Sequence, residues 1–161
     1  NREWIDPRVI ISKLVKSYDS FAQKKNLTIK VEMDKDVPKI KSDKQYLNRI
    51  FDNLLSNAIK FSPPGKEVKI RLQGKDEKVV VSVIDEGPGI SAKEKQKLFH
   101  KFQVLSTKPT AGESSTGLGL SIVKSLVDLL EGNIYCESEL EKGSSFIVEL
   151  PSKSDQRLES K

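Results

Sequence analysis

The sequence predicts an α+β fold: a two-layer α/β sandwich in which a mixed, mostly antiparallel sheet carries three long helices on one face. Three observations carry this. Apolar residues recur at helical spacing in three long segments. Between them lie short runs of alternating or continuous β-branched residues, two pairs of which are joined by turns rich in charged residues and glycine. The chain has 161 residues, 36% hydrophobic and 32% charged, which is one ordinary domain with enough apolar side chain for a core.

The elements follow in order. Asp6 then Pro7 gives an N-cap and a first helical residue, and Ile11, Leu14, Val15, Tyr18 and Ala22 extend the helix to about Asn26. Thr28 to Met33 reads as a short strand. Asp43 caps a second helix with an apolar stripe of Leu47, Ile50, Phe51, Leu54, Ala58 and Phe61, ended by Ser62-Pro63-Pro64-Gly65. Val68, Ile70 and Leu72 alternate as a strand. Gly74-Lys75-Asp76-Glu77 connects it to Lys78 to Asp85, whose nearly continuous apolar run places it inside the sheet. A short charged helix runs from Ser91 to about Lys97, and Gln103 to Thr116 reads as a mobile loop. Leu118 to Leu130 is the third long helix, stopped by Gly132. Ile134 to Glu137 and Ser145 to Leu150 close the sheet as a hairpin through Glu141-Lys142-Gly143. The domain occupies residues 1–151, and residues 152–161 form a charged tail.

Composition excludes several classes. No stretch approaches the roughly 18 apolar residues of a membrane span, and no signal-peptide pattern opens the chain. No direct membrane contact is expected. One cysteine, Cys136, leaves no internal disulfide and suits a reducing compartment, so the expected location is cytoplasmic. The net charge is +5, but aromatics are 6% and no Lys/Arg run alternates with them, so no nucleic-acid partner is expected.

Three patterns carry chemistry. Asn53, Asn57 and Lys60, spaced by four and three on the second helix, fall within roughly 60° of one another beside the apolar stripe. Such a stripe is either solvated or holds something. In Asp85-Glu86-Gly87-Pro88-Gly89-Ile90, Asp85 is in phase with Val79, Val81 and Val83, so its carboxylate points to their face. If that face is the core, the carboxylate needs a donor, and the glycines admit a flat ligand. An Asp-Gly turn between strand and helix is the plainer account. In Ser115-Thr116-Gly117-Leu118-Gly119-Leu120-Ser121-Ile122, glycines lead into a helix whose first amides can bind phosphate oxygens, or simply form a loop-to-helix junction.

In order and spacing these patterns resemble the catalytic ATP-binding domain of sensor histidine kinases, in the superfamily of DNA gyrase B, MutL and the large heat-shock chaperone ATPases with its Bergerat-type fold. NLLSNAIKFS, from Asn53 to Ser62, resembles the asparagine box; DEGPGI the first glycine box; Leu98-Phe99-His100-Lys101-Phe102 the phenylalanine box; and STGLGLSIV the second glycine box. GSSF, from Gly143 to Phe146, resembles the last glycine-rich element. The likeness covers roughly Trp4 to Pro151.

The resemblance implies ATP and Mg²⁺ as ligands. Asn57 would coordinate the metal through its amide oxygen, supported by Asn53, and Lys60 would contact phosphate. Phe61 would lie over the nucleotide. Asp85 would accept the adenine amino hydrogen bond, with Ser145 helping through water, while Gly87, Gly89 and Ile90 shape the adenine slot. Amides near Thr116, Gly117, Leu118, Gly119 and Leu120 would wrap the phosphates beneath a lid from Gln103 to Ser115. Two departures touch this set. Ser115 stands where the second glycine box often has glycine, and Val104 where a basic residue often meets the γ-phosphate, leaving Lys101 or Lys108 for that contact.

The expected partners are the dimerisation helices of the same kinase, which carry the phosphoacceptor histidine and would precede Asn1, and a response regulator receiver domain downstream. The only histidine, His100, falls inside the phenylalanine box. Asn53 stands where hydrolysing relatives carry a glutamate base, which favours a kinase over an ATPase. An anti-sigma-type serine kinase, or a degenerate nucleotide-binding or docking module of the same fold, are the alternatives.

Overall fold

The computed structural model describes residues 1–99 and 119–152. The elements are Glu3–Ile5 (β1), Pro7–Lys24 (α1), Thr28–Met33 (β2), Ile40–Ser42 (β3), Lys44–Phe61 (α2), Glu67–Lys75 (β4), Lys78–Asp85 (β5), Ala92–Lys95 (α3), Gly119–Leu129 (α4), Asn133–Glu139 (β6) and Gly143–Pro151 (β7). Five strands form one sheet in the order β2-β4-β5-β7-β6, antiparallel except for the parallel β2–β4 pair.

The layers follow from two periodicities. Val79, Val81 and Val83 of β5 are buried on one face, level with Val68, Ile70 and Leu72 of β4 and with Phe146, Val148 and Leu150 of β7. Helix α2 lies over β5 with Leu47, Ile50, Leu54 and Leu55 fully buried, and it is flanked by α1 and α4. Both long N-terminal helices start where an aspartate caps them. Asp6 accepts from the N–H of Arg8 at 3.0 Å, and Asp43 accepts from Gln45 and Tyr46 at 2.9 and 3.1 Å.

Several details differ from the sequence expectation. Helix α1 stops at Lys24, and α3 is a single turn. The β4–β5 connection is the two-residue turn Asp76-Glu77, both at positive φ (50° and 64°), while Gly74 and Lys75 stay in the ladder. A two-stranded ribbon, β1 with β3, has no counterpart in the sequence reading. The expected lid, Phe102, Lys101, Lys108, Thr116, Gly117, Leu118, His100 and the tail beyond Ser152 lie outside the described residues.

Candidate functional site

A cleft of about 380 Å³, its open mouth included, lies between the last turns of α2, the end of β5 with the loop after it, and the start of β7. Asn57, Phe61, Asp85, Pro88, Gly89, Ile90, Leu120, Ser144 and Phe146 line it. Asn57 and Phe61, four apart, present one face of α2. Among the described residues the Asn57 side-chain amide has no hydrogen-bond partner, so it is available to a ligand.

Asp85 is the last residue of β5 and is 7% exposed. Its Oδ1 accepts the N–H of Gly87 at 2.9 Å. Burial pushes its pKa up to about 6, against the pull of the Gly87 and Ser144 backbone N–H groups. At neutral pH the cleft therefore holds a buried carboxylate, a strong acceptor facing a mostly apolar slot.

The loop after Asp85 is pressed between two backbones. A Cβ on Gly87 would stand 2.7 Å from the carbonyl oxygen of Phe61. Gly89 has φ +78°, and a Cβ there would stand 2.1 Å from the carbonyl oxygen of Glu139. Only glycine fits both places, and the slot stays flat as a result. The N–H of Glu141 donates to Pro88 O at 2.6 Å, and the N–H of Ile90 donates to Ser138 Oγ at 2.8 Å.

The other expected residues are placed as follows. Asn53 donates from Nδ2 to Arg49 O at 2.9 Å, and its Oδ1 lies 3.1 Å from where a Cβ of Gly119 would be, so it faces the start of α4. Leu120 reaches the cleft one residue later. Lys60 lines a neighbouring groove with Tyr18, Ser56 and Ile59 rather than the cleft itself.

Ser145 requires a correction. In the β5–β7 register it pairs with Ile84, and Ser144 pairs with Asp85. Because strand side chains alternate, Ser145 points to the opposite face of the sheet, and Ser144 stands beside the carboxylate. The signal was present: Ser144 shares the parity of Phe146, Val148 and Leu150, the buried positions of the same strand. Ser138 had no such signal. Cys136 is half-buried, and burial pushes its thiol up to about 12, so it supplies no nucleophile.

Residues 42–154 match the model of the histidine kinase-, DNA gyrase B- and HSP90-like ATPase family. The chain belongs to this family. It is 32% identical over 158 residues to sensor histidine kinase WalK of Bacillus subtilis (strain 168), an alignment that covers 97% of this chain and 26% of WalK. The fold superposes on mycobacterial sensor histidine kinase MprB with a TM-score of 0.83 at 26% identity, covering 94% of this chain and 99% of that one. It also superposes on histidine kinase ThkA, in a complex with the response regulator protein TrrA, with a TM-score of 0.79 at 27% identity, covering 94% and 42%.

The chain thus spans about a quarter of the length of WalK and matches nearly all of the MprB chain. The ATPase-family match contains every cleft residue, from Asn57 to Phe146. ATP is the ligand that membership implies, and the cleft suits its base: a flat, largely apolar slot with one buried anionic acceptor. Among the described residues no three His, Cys, Asp or Glu side chains converge on a point. A divalent ion here would take the Asn57 amide oxygen and complete its shell with water and phosphate oxygens, a set that fits Mg²⁺.

Proposed function

We propose that this chain is the ATP–Mg²⁺ binding catalytic domain of a two-component sensor histidine kinase, working on the cytoplasmic side. The observation that carries the reading is the buried Asp85 carboxylate in a cleft that Asn57 and Gly89 also line, the Asn57 side-chain amide having no hydrogen-bond partner among the described residues. In this reading Asp85 accepts from the adenine amino group, Ile90, Phe61 and Phe146 enclose the ring, and Asn57 would hold Mg²⁺ through its amide oxygen. Asn53 braces the approach of α4 to that site, and the amides at Gly119 and Leu120 would contact the phosphate chain, a role the family resemblance also gives to Thr116, Gly117 and Leu118. Lys60 would supply positive charge to the phosphates, with Lys101 or Lys108 the candidate for a further basic contact.

The reaction is phosphoryl transfer. The bond from the γ-phosphorus to the β,γ-bridging oxygen breaks, ADP leaves, and a phosphorus–nitrogen bond forms to an imidazole of the acceptor. That imidazole lies on dimerisation helices of the same kinase, and a receiver domain then takes the phosphoryl group. Mg²⁺, when bound, would neutralise charge on the phosphates, while the protein contributes position. Asn53, a neutral amide already bonded to Arg49 O, is no base for water, which supports transfer over hydrolysis. The WalK and ThkA–TrrA likenesses support the same assignment, since those proteins are named as histidine kinases and the second is bound to a response regulator.

Titration with a fluorescent ATP analogue, with and without Mg²⁺, tests the site. Saturable binding displaced by ATP and ADP, and strengthened by Mg²⁺, is expected. Adding the histidine-bearing helices in trans should then yield acid-labile phosphohistidine. No binding up to millimolar nucleotide would remove the assignment.

A further inference from the structure

At the mouth of the β6–β7 hairpin, Ser138 Oγ has three polar neighbours. It accepts the N–H of Ile90 at 2.8 Å, lies 2.9 Å from Gly143 O, and lies 2.8 Å from Ser144 Oγ. A serine hydroxyl has one proton and two lone pairs. A carbonyl oxygen only accepts, so the Ser138 proton goes to Gly143. One lone pair takes the Ile90 N–H, and what is left for Ser144 is the other lone pair. Ser144 must therefore donate to Ser138, and the Ser144 oxygen turns only lone pairs towards the cleft that it lines.

Beside it stands Asp85, its partner across the ladder, also an acceptor when ionised. Two adjacent acceptors match a ligand edge that carries N–H groups and oppose one that carries a carbonyl oxygen. A serine with a free proton would not discriminate in this way, because it would rotate to donate or accept as the ligand required. Ser138 itself is not among the residues lining the cleft. It is held in turn: Lys95 Nζ donates to its carbonyl at 2.9 Å.

We propose that Ser138 is a specificity-determining positioning residue, which fixes Ser144 as an acceptor and so selects purine nucleotides with a 6-amino group over those with a 6-oxo group. This rests on the adenine-nucleotide reading of the same cleft and deepens it. The 6-amino group offers two hydrogens to two acceptors, whereas a 6-oxo group sets its lone pairs against theirs.

The test measures the affinities of ATP and ITP for the wild type, Ser138→Ala, Ser138→Thr and Ser144→Ala, with thermal unfolding followed alongside. The wild type should prefer ATP. Ser138→Ala frees the Ser144 proton to turn into the cleft, so ATP weakens while ITP holds or tightens, and the ratio falls about tenfold. Ser138→Thr keeps the hydroxyl and should keep the ratio. Ser144→Ala leaves the Ile90 and Gly143 bonds in place and should also collapse the ratio, which decides the matter if Ser138→Ala does not fold. Equal weakening of both nucleotides in Ser138→Ala, or an unchanged ratio in Ser144→Ala, would overturn the proposal and leave Ser138 a brace of the hairpin. A folded wild type that binds neither nucleotide would instead overturn the nucleotide reading, and the proposal with it.

Discussion

Asp85 places function and stability in opposition at one side chain. Burial raises its pKa from an ordinary carboxylate value to about 6. An acid whose folded pKa lies above its unfolded value, roughly 3.9, holds its proton more tightly in the folded chain. The stability this confers is whole below the unfolded value and is lost as pH rises through about 6. Near neutral pH the buried charge thus costs at most about 3 kcal/mol. Asp85→Asn removes the charge while its amide oxygen still accepts from Gly87. The variant should melt a few degrees higher than the wild type at pH 8, with the gap closing towards pH 4.5, and should bind ATP at least tenfold more weakly. Calorimetry at the two pH values and a nucleotide titration check both halves. The phase of Asp85 with Val79, Val81 and Val83 was legible in the sequence because strand alternation fixes it. Ser145 was misplaced by one residue, and in a strand one residue is the opposite face.

Among the elements, α2 carries the cleft and is held at its C-terminus by the side chain of the residue that caps the end of α1. Lys25, 9% exposed, donates from Nζ to Ile59 O at 2.8 Å and Lys60 O at 2.9 Å. These carbonyls belong to the last turn of α2, where helix carbonyls lack partners and the dipole is negative. The same turn carries Phe61, and Asn57 lies one turn earlier. Lys25→Met keeps the buried stem and deletes the donor. It should destabilise the chain by about 2 kcal/mol in urea unfolding and weaken ATP severalfold, because the face presenting Asn57 and Phe61 frays. An unchanged urea midpoint would show that water replaces the ammonium without loss. No sequence pattern marks Lys25, since it acts on residues more than thirty positions away. The helices themselves were legible through period and caps, Asp6-Pro7 and Asp43 above all. The β1–β3 ribbon was not, because three residues a side are too few for any period, and its pairing joins segments far apart in the chain.

At the scale of the molecule, the order of helices and strands gave the two layers, and residues of the asparagine box and the first glycine box, Asn57, Phe61, Asp85, Pro88, Gly89 and Ile90, meet at one cleft. What sequence spacing could not give is which hydroxyl proton points where, or which side of α2 each polar residue serves: Asn57 faces the cleft, while Lys60 lines the neighbouring groove. Those depend on contacts among α2, the loop after β5 and the β6–β7 hairpin. The same convergence ties nucleotide binding to global stability. The buried apolar residues of α1, α2, α4 and the five-stranded sheet form one cluster, and the cleft is built on its central members, α2, β5 and β7. Unfolding any of these removes the site, so a ligand of the folded state should act on the whole transition. We expect a single cooperative melt. ATP–Mg²⁺ at one hundred times its Kd should add about 2.7 kcal/mol, a rise in Tm of about 5–10 °C. Asp85→Asn at the same ATP concentration should show about half of that rise or less, although its ligand-free melt begins higher. Differential scanning calorimetry of both proteins, with and without nucleotide, reads these together. A wild-type melt that splits, with only one component moved by ATP, would mean that the cleft belongs to a sub-region able to open while the rest of the core stays folded.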